Sequence, residues 1–131
     1  MVACSFENYG CDGGYLTNAV DTLMNDGTVT YECQPYRNHM NKCEYKCVDK
    51  SLEYKRYYCE PGTLRIMTTA DQFKHELITN GPFIVSLTVY EDFINYYKGV
   101  YTFVGGGLVG GHAMKLIGWE TDSNGKTVWL L

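Results

Sequence analysis

Apolar residues at Leu16, Ala19, Val20, Leu23 and Met24 fall at i, i+3, i+4, i+7 and i+8, which places them on one face of a helix. Gly27 follows as its stop. A second helix is signalled by Thr69 with Gln72 three residues on, a capping-box spacing, and by Phe73, Leu77 and Ile78 on one side; Asn80-Gly81-Pro82 ends it. Phe83 to Val89 is short, mostly apolar and β-branched, the pattern of a strand buried on both faces. Glu91 to Tyr97 suits one or two helical turns before Gly99. Val100 to Val104 and His112 to Trp119 read as strands, with Gly105-Gly106-Gly107 as a flexible turn between them. Asp122-Ser123-Asn124-Gly125 supplies a hairpin turn into Thr127 to Leu131. From Thr28 to about Gly62 no period is sustained, and turn formers and cysteines dominate, so order there is expected to come from crosslinks.

The chain has 131 residues and 45% hydrophobic content, enough for one domain-sized core. Six cysteines, five of them before Tyr54, favour disulfides in an oxidising compartment. Zinc is the competing arrangement, because Cys33, His39, Cys43 and Cys47 offer four ligands, although their spacing matches no common finger. A net charge of -4 with scattered Lys and Arg gives no basic stripe for phosphates, which argues against a nucleic-acid partner. No apolar run approaches the roughly 20 residues that span a bilayer, and Met1 to Ser5 lacks the features of a signal peptide. An abrupt start near Cys4 and an apolar finish at Val128-Trp129-Leu130-Leu131 suggest that both ends of a larger domain lie outside the chain. The glycine run at 105–107 lacks a phosphate-loop lysine.

Two stretches carry a family resemblance: Asn8-Tyr9-Gly10-Cys11-Asp12-Gly13-Gly14-Tyr15 leading into a helix, and Gly110-Gly111-His112-Ala113-Met114-Lys115-Leu116-Ile117-Gly118-Trp119 on a strand. Between them stand Cys33-Gln34-Pro35-Tyr36, the Lys42-Cys43 to Cys47 segment, Asn80-Gly81-Pro82 and Val89-Tyr90-Glu91-Asp92-Phe93. In this order they resemble papain-like cysteine peptidases of the cathepsin B type. The resemblance implies an α+β fold in two incomplete parts: a helical, disulfide-stapled half over residues 1–62 and a β-barrel-like half over residues 63–131, with a substrate cleft between them.

By the same resemblance His112 is the catalytic base, which lowers the pKa of a thiol, takes its proton and later returns it to the leaving amine. Gly110 and Gly111 leave its side of the strand uncrowded. Gly13 and Gly14 match a strip on which substrate backbone lies like an added strand. Tyr15, Leu16, Ser86, Gly111 and Ala113 are implied as substrate-binding neighbours, mainly walls of the pocket for the second residue before the cut. The implied disulfides are Cys4 with Cys43 and Cys33 with Cys47. Cys11 is expected to pair with a cysteine outside the chain. Cys59 has no family partner, which leaves it free, paired with Cys11 or paired with another chain.

The nucleophile signature Cys-Gly-Ser-Cys-Trp does not occur in the chain. Family spacing puts that cysteine about 20 to 40 residues before Met1. An oxyanion-hole glutamine would accompany it, and the asparagine that orients the base would follow Leu131. The chain alone is therefore expected to be inactive. Where cathepsin B carries a long loop with paired histidines, this chain has a short link from Tyr36 to Lys42 with only His39, which implies endopeptidase action in the parent protein. The alternative is a catalytically dead papain-fold chain acting as a structural or binding component of a larger assembly. Implied partners are peptide or protein substrates and an N-terminal segment supplied as a separate chain. The resemblance implies no cofactor and no metal, and lysosomal, vacuolar or secreted use.

Overall fold

A computed structural model describes residues 1–131, which form two compact units, Met1–Arg65 and Ile66–Leu131. In the first unit the only helix is α1, Leu16–Asn25. A 3-10 turn at Gly10–Asp12 precedes it. The amphipathic stripe is half-buried rather than buried, and the residue α1 buries most is the polar Thr22, at 7% exposure. The helix stops where the backbone N–H groups of Asp26 and Gly27 both donate to the Thr22 carbonyl. Gly27 has φ +71°, and a Cβ there would lie 2.9 Å from the Tyr57 carbonyl oxygen. Only glycine satisfies both the turn and that approach.

The approach at Gly27 is part of a short antiparallel bridge between Thr28 and Tyr57, with N–H···O distances of 2.8 and 2.7 Å. Arg56 donates to the Asp26 carbonyl at the end of α1, and its guanidinium lies 5.0 Å from the Tyr45 ring centroid and 5.8 Å from that of Tyr54. These contacts tie the irregular segment after α1 back onto the helix. Disulfides Cys4–Cys43 and Cys33–Cys47 do the rest, and both members of the second are buried. A zinc site at Cys33, His39, Cys43 and Cys47 is thereby overturned: three of its four ligands are consumed as disulfide sulfur, which is not the thiolate that zinc binds.

The second unit begins with α2, Ala70–Thr79. Its capping box is closed in both directions: the Thr69 hydroxyl accepts from the Gln72 N–H at 3.3 Å, and Gln72 Oε1 accepts from the Thr69 N–H at 3.2 Å. Phe73 and Leu77 are half-buried on this helix, but Ile78 is 75% exposed and does not share their face. Strand β1, Phe83–Tyr90, pairs antiparallel with β2, Leu108–Leu116; β3, Gly118–Thr121, pairs antiparallel with β4, Thr127–Leu130. The expected β-barrel-like half thus consists of two separate two-stranded sheets. Burial in β1 alternates along the strand, so one face only is covered, contrary to a strand buried on both. Leu116, at 1% exposure, is the best-covered side chain, and Phe73 packs edge-on against both Phe83 and Trp129 at 5.6 Å. In the β3–β4 turn, Asp122 Oδ1 accepts from the N–H groups of Asn124 and Lys126, both at 2.8 Å.

Between β1 and β2 the structure departs from the sequence pattern. Glu91–Asn95 is a 3-10 helix, but Val100 to Val104 is not a strand. The Asp92 carboxylate accepts from the Val104 N–H at 2.9 Å and from the Tyr101 hydroxyl at 2.7 Å, and so removes a donor that a ladder would need. The glycine run is tied at its last residue: Gly107 N–H donates to Glu91 Oε2 at 3.0 Å, and the Gly107 carbonyl accepts from the Glu91 N–H at 3.1 Å. The strand expected from His112 starts earlier, at Leu108, and ends at Leu116.

Candidate functional site

The first group of site residues lies in the Met1–Arg65 unit, immediately before α1. Gly13 has φ +95° and turns the chain out of the 3-10 turn, its carbonyl accepting from the Tyr9 N–H at 3.0 Å. At Gly14 the restriction is spatial, because a Cβ would collide with the side-chain amide of Asn8. Gly13, Gly14 and Tyr15 are exposed and Leu16 is half-buried, so the strip presents backbone to its surroundings.

A relay of polar side chains holds the strip from beneath. Asn8 Oδ1 accepts from the Tyr15 N–H at 2.8 Å, and Asn8 Nδ2 donates to Ser5 Oγ at 2.9 Å. Ser5 Oγ lies 2.8 Å from Thr22 Oγ1, whose own hydrogen goes to the Asn18 carbonyl at 2.8 Å. A hydroxyl has one hydrogen to donate, so Ser5 is the donor to Thr22 and the order of the relay is fixed. Both hydroxyls are buried and both are satisfied. Ser5, Asn18 and Thr22 went unmarked in the sequence because short polar residues beside a helix read as solvated. Only Asn8 stood inside a quoted motif.

The second group lies on β1 and β2. His112 is opposite Leu87, Ala113 opposite Ser86, and Gly111 opposite Thr88. Strand alternation therefore puts His112 on the face of Met114 and Leu116, and Gly111 and Ala113 on the face of Ser86 and Thr88. His112 is exposed although Leu116, four residues along the same face, is fully covered. A Cβ at Gly110, which pairs with Val89 and so shares the face of His112, would meet nothing within 4 Å, so that face is open beside the imidazole-bearing residue. The structure thus keeps Gly13 to Leu16 contiguous on one unit and brings Ser86 beside Ala113 on the other. Cys11 and Cys59 are exposed thiols, outside both disulfides.

A glycine strip on a helix entrance and a histidine on a strand of a small antiparallel sheet define a class, the papain fold, and comparison with known proteins agrees. The model of the papain family cysteine proteases matches residues 1–131, and the chain belongs to that family. The relatives it matches include proteins of the cathepsin B type. Cathepsin B-like protease 1 of Arabidopsis thaliana is 39% identical, covering 94% of this chain and 36% of that protein. Cathepsin B-like CP3 of Giardia intestinalis is 33% identical, covering 100% of this chain and 45% of that protein. Among solved structures, procathepsin B S9 from Trypanosoma congolense superimposes with a TM-score of 0.82 at 32% identity, over 98% of this chain and 45% of that one. The chain thus spans less than half the length of these relatives.

Proposed function

We propose that this chain supplies the base and the substrate strip of a cathepsin B-like cysteine endopeptidase whose nucleophilic sulfur comes from outside these 131 residues. In this reading His112 takes the thiol proton, and the thiolate attacks the scissile carbonyl carbon. The tetrahedral intermediate collapses as His112 returns the proton to the leaving amine, which leaves a thioester. Water then attacks the thioester with His112 as base, releasing the acid and restoring the thiol. Gly13 and Gly14 lie along the substrate backbone, and Tyr15, Leu16, Ser86, Gly111 and Ala113 border its side chains. The short Tyr36 to Lys42 link goes with cutting inside a chain. Disulfides Cys4–Cys43 and Cys33–Cys47 support use in lysosomes, vacuoles or outside the cell, where such bonds persist.

The supporting observation is the family match across residues 1–131 together with an exposed His112 on the same open strand face as Gly110. The test compares the 131-residue chain with the protein carrying its native flanking sequence, using a fluorogenic peptide and a thiol-directed epoxide. The chain alone should neither turn over nor label. The longer protein should do both, with kcat falling on the order of 1,000-fold or more in His112→Ala. Turnover unchanged by His112→Ala would defeat the assignment. A second reading, a catalytically silent component of an assembly, is favoured by the exposure of Ile84, Leu108 and Leu130 in the Ile66–Leu131 unit. An active longer protein would dismiss it.

A further inference from the structure

The Met1–Arg65 unit contains a cavity of about 510 Å³ that Gly13, Gly14 and His112 do not line. Its walls carry three cations, Arg37, Lys42 and Lys46, against one carboxylate, Glu44, a local balance of +2. The whole unit has seven Lys and Arg against nine Asp and Glu, a balance of -2, so the cavity reverses the sign of its surroundings. Glu44 sits 3.3 Å from Lys46 Nζ, while Arg37 and Lys42 have no carboxylate partner.

These cations stand on a braced backbone. Cys4–Cys43 is bonded next to Lys42, and Cys33–Cys47 next to Lys46. Gln34 Nε2 donates to the carbonyls of both Glu44 and Lys46, at 2.6 and 3.0 Å, and the Val48 N–H donates to the Cys33 carbonyl at 2.9 Å. The Arg37 carbonyl is tied to His39 Nδ1 at 2.7 Å. A wall already ordered in the free protein loses little entropy on binding. Beside the charges the lining combines polar Gln34, His39 and Asn41 with apolar or aromatic Tyr31, Tyr36 and Val48, the last three all more than half exposed.

We infer that this cavity binds an acidic peptide segment, its carboxylates pairing with Arg37, Lys42 and Lys46 and its apolar side chains lying against Tyr31, Tyr36 and Val48. A concave, partly aromatic lining with only three cations suits alternating carboxylates and apolar side chains better than it suits a sulfated sugar, whose charge is denser and whose apolar ring faces are small. The site is independent of the peptidase reading.

The probe is a fluorescein-labelled hexapeptide alternating glutamate with leucine, followed by anisotropy. Three comparisons decide: the same peptide with glutamine for glutamate, the variant Lys42→Gln/Lys46→Gln, and the pair Lys50→Gln/Lys55→Gln, which does not line the cavity, each variant checked for intact disulfides by mass. The glutamine peptide and the Lys42/Lys46 variant should each bind about tenfold more weakly, and the Lys50/Lys55 variant within about twofold of the parent. Equal losses in both variant pairs would reduce the effect to diffuse charge and overturn the inference. So would no binding by the parent, or a heparin-derived hexasaccharide binding through Lys42 and Lys46 where the peptide does not.

Discussion

The side chain of Asn8 stands where a side chain on Gly14 would have to go, and the same amide holds the N–H of Tyr15 one residue further on. One residue thus enforces glycine at position 14 and fixes the backbone that follows it. Gly14→Ala should therefore destabilise the chain by about 1–3 kcal/mol, from overpacking against Asn8. Removing the obstacle in Asn8→Ala/Gly14→Ala should recover part of that loss relative to the sum of the single changes. Urea melts of the four proteins measure the coupling, and strictly additive losses would contradict the contact.

Further down the relay, Thr22→Val keeps shape but takes away the acceptor for the buried Ser5 hydroxyl. The expected cost is about 1–3 kcal/mol, because a buried donor is left without a partner. Ser5→Ala/Thr22→Val removes both hydroxyls and should cost less than the two single changes together. Calorimetry of the set checks this. Additivity within about 0.3 kcal/mol would mean that the two hydroxyls are not bonded.

Asp92 and Tyr101 bracket the stability of the 91–107 loop at opposite ends of the pH scale. Hydrogen bonds, first from the Val104 N–H and then from Tyr101, hold the Asp92 carboxyl below its ordinary 3.8. Its contribution is complete above that value and is lost as pH falls through the lower folded pKa. Burial first, then the bond to Asp92, pushes the Tyr101 hydroxyl up to about 12 from 10.0. That contribution is complete below 10.0 and is lost as pH rises through about 12. Absorbance at the tyrosinate band should show one tyrosine titrating late, absent in Tyr101→Phe and shifted downward in Asp92→Asn. A single tyrosine wave unchanged by either substitution would refute the pairing.

Helices and the final hairpin were legible because their signals are local. Thr69 and Gln72 cap each other across three residues, and Asp122 closes its own turn, so no distant contact decides either element. Val100 to Val104 misled for the opposite reason: its β-branched residues favour a strand, but Asp92, twelve positions before Val104, takes the Val104 N–H. Strand β2 begins at Leu108 although Gly110 and Gly111 look like breakers, because pairing with Thr88 and Val89 holds them extended. Gly13, Gly14 and His112 came to notice through motifs. The hydroxyls beneath the strip did not, since nothing in the letters Ser5 and Thr22 distinguishes a buried hydroxyl from a solvated one. Cysteine spacing alone left zinc open; the pairs Cys4–Cys43 and Cys33–Cys47 were implied only through family resemblance.

Both disulfides lie in the first unit, closing spans of 39 and 14 residues, and the second unit has none. Loop-closure entropy assigns them about 4 and about 3 kcal/mol, a large part of what a unit of this size has to spare. A mild reductant should therefore melt the chain in two stages. Far-ultraviolet ellipticity from α1 should go early and at low temperature, while the near-ultraviolet signal of Trp119 and Trp129 persists. Oxidation state, rather than heat, becomes the variable that decides whether the glycine strip exists.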